Sequence, residues 1–125
     1  MPPKLLYTLI DSPSHPNFMP LYNELGLNEK VFESHRKAMN SLKKYQPDFV
    51  VAEFFYGWGN NYAGANLGNL DVFLSSLQRY AADAKVIVMV HKEERPYAEK
   101  LGELFPLHRI FTQPVSVDDM REALR

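Results

Sequence analysis

The run Lys85-Val86-Ile87-Val88-Met89-Val90 carries five consecutive apolar side chains with no polar alternation. A strand tolerates such a run only when both of its faces are covered. Three further short runs look like strands: Leu5-Leu6-Tyr7-Thr8-Leu9-Ile10, Phe49-Val50-Val51-Ala52 and Arg109-Ile110-Phe111-Thr112. Between them the apolar residues switch to helical spacing. Phe18, Leu21, Tyr22 and Leu25 recur at i, i+3, i+4 and i+7, and Leu70, Phe73, Leu74, Leu77, Tyr80 and Ala81 form the clearest stripe. With Lys30-Val31-Phe32-Glu33 as an edge-type strand, five strands alternate with five helices. That pattern predicts an open, mostly parallel α/β sheet with helices on both sides.

Local signals set the boundaries. Asn17 can cap a helix whose first turn holds Phe18, Met19 and Pro20, because the first N–H groups have no intrahelical acceptor. Gly26 ends that helix. Ala38, Leu42 and Tyr45 mark a second one, closed by Pro47, with Arg36, Lys37, Lys43 and Lys44 on its solvated face. Pro96 opens a helix through Ala98, Leu101, Leu104 and Phe105. Ser116 with Asp119 resembles a capping box, opening a short last helix through Val117, Met120 and Leu124.

At 125 residues the chain predicts one domain, residues 1–125, and a net charge of -1 argues against nucleic acid, whose phosphates call for a basic excess. The absence of cysteine excludes disulfides, a catalytic thiol and cysteine-based metal sites. No apolar run approaches the ~20 residues of a membrane span, and no secretory signal is recognisable. A soluble, cytoplasmic protein without a membrane partner is expected.

In open α/β sheets chemistry sits beyond the carboxyl ends of the strands. The residues there are Asp11 and Ser12, Glu53 to Tyr56, Val90 and His91, and Gln113 and Pro114. Pro47-Asp48, four apolar residues and Glu53 resemble the segment that leads into the phosphoacceptor of response-regulator receiver domains. Val86 to Val90 looks like the fourth receiver strand, and Ile110-Phe111-Thr112-Gln113-Pro114 like the fifth with its Lys-Pro pair. The resemblance spans the chain in order and spacing. It implies a flavodoxin-like three-layer sandwich around a five-stranded parallel sheet of order 2-1-3-4-5.

The departures from the receiver pattern bear on function. Receivers hold magnesium with two acidic residues after the first strand and the acceptor aspartate, and respond through a Thr or Ser and a Lys. Here the acidic pair reads Asp11-Ser12, the acceptor position Glu53, the Thr/Ser position Val90, the Lys position Gln113 and the aromatic switch position Ile110. The extra methylene shifts the Glu53 carboxylate by about 1.5 Å. Misplacement on that scale can cost roughly 100-fold in an aligned attack. Val90 offers no hydroxyl, and Gln113 offers no positive charge to a phosphoryl oxygen. Asp11 with Glu53 could still bind magnesium weakly. Glu53 can be read as a built-in negative charge that mimics phosphorylation, or as a residual carboxylate at the strand rim.

Sixteen residues, 54–69, separate Glu53 from the helix at Leu70, longer than receivers usually allow. Tyr56, Trp58 and Tyr62 stand among glycines there. They suit a protein-contact loop, since Trp and Tyr anchor interfaces. Alternatively, Phe54, Phe55 and Trp58 fold down to plug the vacated pocket, or the aromatics stack on a flavin. Gly59 and Gly64 have P-loop spacing, but Ala65-Asn66 follows where Lys-Ser/Thr belongs. His15, His35, His91 and His108 show no ligand spacing, and His91 stands nearest the pocket.

The expectation is a stand-alone pseudo-receiver: a signalling or adaptor domain with no catalytic residues and no cofactor, acting through a protein partner without phosphorylation. By resemblance the contact face is the fourth helix, fifth strand and fifth helix, where Ile110, Phe111, Met120 and Leu124 would form a partly exposed seam for a partner or a homodimer. The rival readings are a flavin- or nucleotide-binding module on the same sheet, and a residual receiver that still takes phosphate or magnesium.

Overall fold

Residues 4–10, 17–53 and 70–124 are described by a computed structural model. Its strands are β1 (Leu5–Leu9), β2 (Asn28–Phe32), β3 (Phe49–Glu53), β4 (Lys85–Val90) and β5 (Arg109–Thr112). They form one parallel sheet in the order β2-β1-β3-β4-β5. The helices are α1 (Met19–Glu24), α2 (His35–Ser41), α3 (Leu70–Tyr80), α4 (Arg95–Leu104) and α5 (Val117–Ala123), with a 3₁₀ turn at Lys92–Glu94.

Side-chain alternation divides the core. Tyr7, Leu9, Val50, Ala52, Val86, Val88 and Val90 meet α2, α3 and α4 on one face. Leu6, Phe49, Val51, Ile87 and Met89 meet α1 and α5 on the other. The central strands β3 and β4 are buried on both faces, which is why their sequences are apolar without a break. Among the described residues β2 pairs only with β1 and β5 only with β4, so these strands form the two edges.

Most predicted boundaries agree with the structure to within a residue or two. Gly26 ends α1 at φ +73°, a left-handed conformation that glycine adopts without a Cβ clash. The Ser116 side chain accepts from the Asp119 N–H at 3.0 Å, as the capping reading requires, and Ser34 does the same for Lys37 at 3.3 Å. Three details differ. α1 begins at Met19, whose N–H donates to Asn17 Oδ1 at 3.0 Å, leaving Phe18 ahead of the helix. α2 ends at Ser41, so Tyr45 lies beyond it in an irregular turn. The 3₁₀ turn leads straight into α4, which begins at Arg95, one residue before the proline.

The expected apolar seam needs a larger correction. Met120 is 0% exposed and Leu124 only 6%, both in the core with Ala123, Ile87 and Met89. Although short, α5 still turns that stripe onto the sheet. Ile110 and Phe111 are half-buried and pack on opposite faces of it, as alternation demands. The large apolar side chains exposed on these elements are instead Tyr97, Leu104 and Val117.

Candidate functional site

The carboxyl ends of β3, β4 and β5 bring five of the sequence candidates, Glu53, Val90, His91, Gln113 and Pro114, to one end of the sheet. Glu53 is the last residue of β3, with its Cα opposite that of Met89, and is 1% exposed. Alternation places it on the same face as Phe49 and Val51, the side covered by α1 and α5. Val90 ends β4 and packs with Val86 and Val88 on the other face. The positions that the receiver resemblance assigns to the acceptor and the hydroxyl thus hold a buried carboxylate and a core valine.

Gln113 follows β5, and its backbone N–H donates to the Val90 carbonyl at 2.8 Å. The peptide bond to the exposed Pro114 is cis. Among the described residues the buried Gln113 Nε2 has no hydrogen-bond partner. The resemblance calls for lysine at this position, and glutamine brings an amide without the charge. His91 is half-buried, and its carbonyl accepts from the Glu94 N–H at 2.9 Å, closing the 3₁₀ turn.

Asp11, Ser12, Tyr56, Trp58 and Tyr62 lie outside the described residues, so the pairing of Asp11 with Glu53 and the role of the aromatic loop stay as sequence expectations. Among the described residues no group of three His, Asp or Glu side chains could hold a metal ion. The described donors do not by themselves fit magnesium, and no chemistry is routed through one.

A contact absent from the sequence reading lies beside Val90. Arg95, the first residue of α4, sends its guanidinium across to β5, where Nη1 donates to the Ile110 carbonyl at 3.1 Å and to Thr112 Oγ1 at 2.9 Å. Its Nε also meets Glu99 at 3.3 Å. Thr112 is opposite Val90 in the register, so the clamp sits at the same end of the sheet as the candidate pocket. The sequence signal was the charged run Lys92 to Arg95 directly after an apolar strand.

A second polar cluster lies under α1. Thr8 Oγ1 donates to Glu29 Oε2 at 2.6 Å, and the buried Tyr22 phenol is hydrogen-bonded to Thr8. Burial holds the phenol well above its ordinary range, the Glu29 charge adds to this, and the bond to Thr8 acts the other way. Such a group stays neutral at physiological pH and acts as a structural hydrogen-bonding partner.

The chain matches no family model, and no curated protein matches it significantly. Solved structures do resemble it over nearly its whole length. A response regulator receiver domain protein from Clostridium thermocellum superposes with a TM-score of 0.71 at 12% identity, covering 97% of this chain and 90% of that one. The signal receiver domain of an HD domain-containing protein from Pseudomonas fluorescens gives 0.72 at 12%, covering 98% and 92%. The chemotaxis response regulator CheY4 of Vibrio cholerae gives 0.69 at 13%, covering 98% and 96%. At such identities the likeness is one of fold: the chain has the receiver-type flavodoxin-like fold, with strand order 2-1-3-4-5.

Proposed function

We propose that the protein is a pseudo-receiver, a signalling domain that keeps the receiver shape and works through protein contact without phosphotransfer. The observation that carries this reading is the set of residues at the strand ends. Glu53 is buried, Val90 is packed into the core, and Gln113 brings an uncharged amide where the resemblance calls for lysine. None of the three can supply what an aligned phosphoryl transfer needs at its position: an acceptor at the right reach, a hydroxyl and a positive charge. With the response chemistry gone, the output face must be formed without it.

That face is built on α4, β5 and α5. Leu104 is 68% exposed, and Tyr97 and Val117 are exposed on the same set of elements. Tyr97 and Leu104, seven residues apart on α4, offer exposed apolar surface to a partner or a second copy of the chain. Arg95 holds α4 on β5, which supports a face preset in one position. The test is a light-scattering mass across concentration for the wild type and for Leu104→Glu. Self-association that is insensitive to phosphodonor and weakened by the substitution supports the reading. Association that appears only with phosphodonor contradicts it.

A further inference from the structure

The two edges of the sheet differ in charge. Residues 30–45 hold five of the fourteen Lys and Arg side chains (Lys30, Arg36, Lys37, Lys43 and Lys44) but only one of the fifteen acidic ones, Glu33. This stretch therefore carries +4, and the nine basic against fourteen acidic residues elsewhere leave -5. The positive charge lies beside the β2 edge, at the far side of the sheet from β5.

Arg36, Lys37, Asn40, Lys43 and Lys44 are all exposed along one stripe of α2 and the turn after it, opposite the buried Ala38 and Leu42. Among the described residues the four cations of the stripe make no ion pair. At the end of the stripe Tyr45 is 53% exposed, with Lys30 Nζ 4.7 Å from its ring centroid. The turn is fixed from below. The hydroxyl of the buried Tyr7 is hydrogen-bonded to the Tyr45 carbonyl and, at 2.8 Å, to Ser41 Oγ, and Gln46 Nε2 donates to the Leu42 carbonyl at 2.6 Å. Lys43, Lys44 and Tyr45 are thus presented on a preorganised turn, which lowers the ordering cost of binding.

We propose that this stripe docks an acidic segment of a protein partner, with Lys37, Lys43 and Lys44 meeting its carboxylates and Tyr45 serving as the aromatic anchor. The proposal rests on the reading of the chain as a protein-contact domain. Charge complementarity sets the occupant: an unneutralised positive patch on a net-negative domain steers a negative partner to one edge. An exposed aromatic beside basic residues could also suit a single-stranded nucleic acid. Here, however, the Lys30 ammonium lies over one face of the Tyr45 ring, which narrows the surface left for a base to stack on.

The test titrates fluorescein-labelled poly-glutamate into the full chain at low salt and follows anisotropy. Binding should weaken by about tenfold or more in the triple reversal Lys37→Glu, Lys43→Glu, Lys44→Glu, because three attractive contacts become repulsive. It should weaken in the same direction, by less, in the neutralised set Lys37→Gln, Lys43→Gln, Lys44→Gln, and in high salt. The control reversal Arg79→Glu, Lys85→Glu, Lys92→Glu makes the same change in net charge at exposed positions outside both the stripe and the α4–β5–α5 face and should bind as the wild type does. No binding at low salt, an equal loss in the control, or tighter binding of oligouridylate or phosphatidylserine vesicles would overturn the proposal. Phosphodonor labelling of the same samples keeps the two claims apart. Label on Glu53 counts against the pseudo-receiver reading alone, and failed peptide binding without label counts against the docking stripe alone.

Discussion

Tyr22 carries a hydroxyl into the core beneath α1, and Thr8 and Glu29 give it company there. Removing that hydroxyl by Tyr22→Phe leaves the Thr8–Glu29 bond in place, so the expected loss is about 1 kcal/mol, read from urea unfolding. The substitution should also change the alkaline response. The folded phenol keeps its proton above the ordinary tyrosine value, while the unfolded one releases it near ~10. Above that pH the unfolded state binds fewer protons, so stability falls as pH rises. Tyr22→Phe should flatten this fall in part. Tyr7, whose phenol is also raised by burial, keeps the remainder. An unchanged slope would show that Tyr22 ionises alike in both states. At this scale the sequence identified the strand-end residues Glu53, Val90 and Gln113, because position along a strand is local information. It did not reveal the burial of Met120 and Leu124, or the Thr8–Tyr22–Glu29 cluster, because both depend on which distant element covers a face.

At the scale of elements, the helices and strands were readable wherever period and punctuation agreed. The unbroken apolar runs of β3 and β4, the stripe of α3 and the Ser116 cap all reappear in the structure. The docking of α4 was not readable, since the 3₁₀ turn determines which side chain faces β5. Arg95 crosses to β5 and binds the Ile110 carbonyl and Thr112 Oγ1. Arg95→Ala should cost about 1 kcal/mol, a discounted figure because the side chain is partly solvated. Hydrogen exchange across Arg95–Leu104 should quicken by about fivefold. Thr112→Val should act in the same direction and more weakly, because the carbonyl contact survives. Unchanged exchange in both variants would mean that apolar packing through Ala98 and Leu101 alone fixes the helix.

At the scale of the whole molecule, the fold was legible because several weak motifs fell in register along one chain, and the strand order 2-1-3-4-5 agrees. Charge placement was not visible in a total of -1: residues 30–45, beside the β2 edge, carry +4 and the remainder -5. The proposed pseudo-receiver rests on Glu53, Val90 and Gln113 at the strand ends, and its central claim is that the receiver shape persists without the receiver reaction. Incubation with a small phosphodonor and magnesium, followed by intact-mass analysis, tests this most directly. The account predicts an unmodified chain. An acid-labile phosphoryl group that disappears in Glu53→Gln would contradict it.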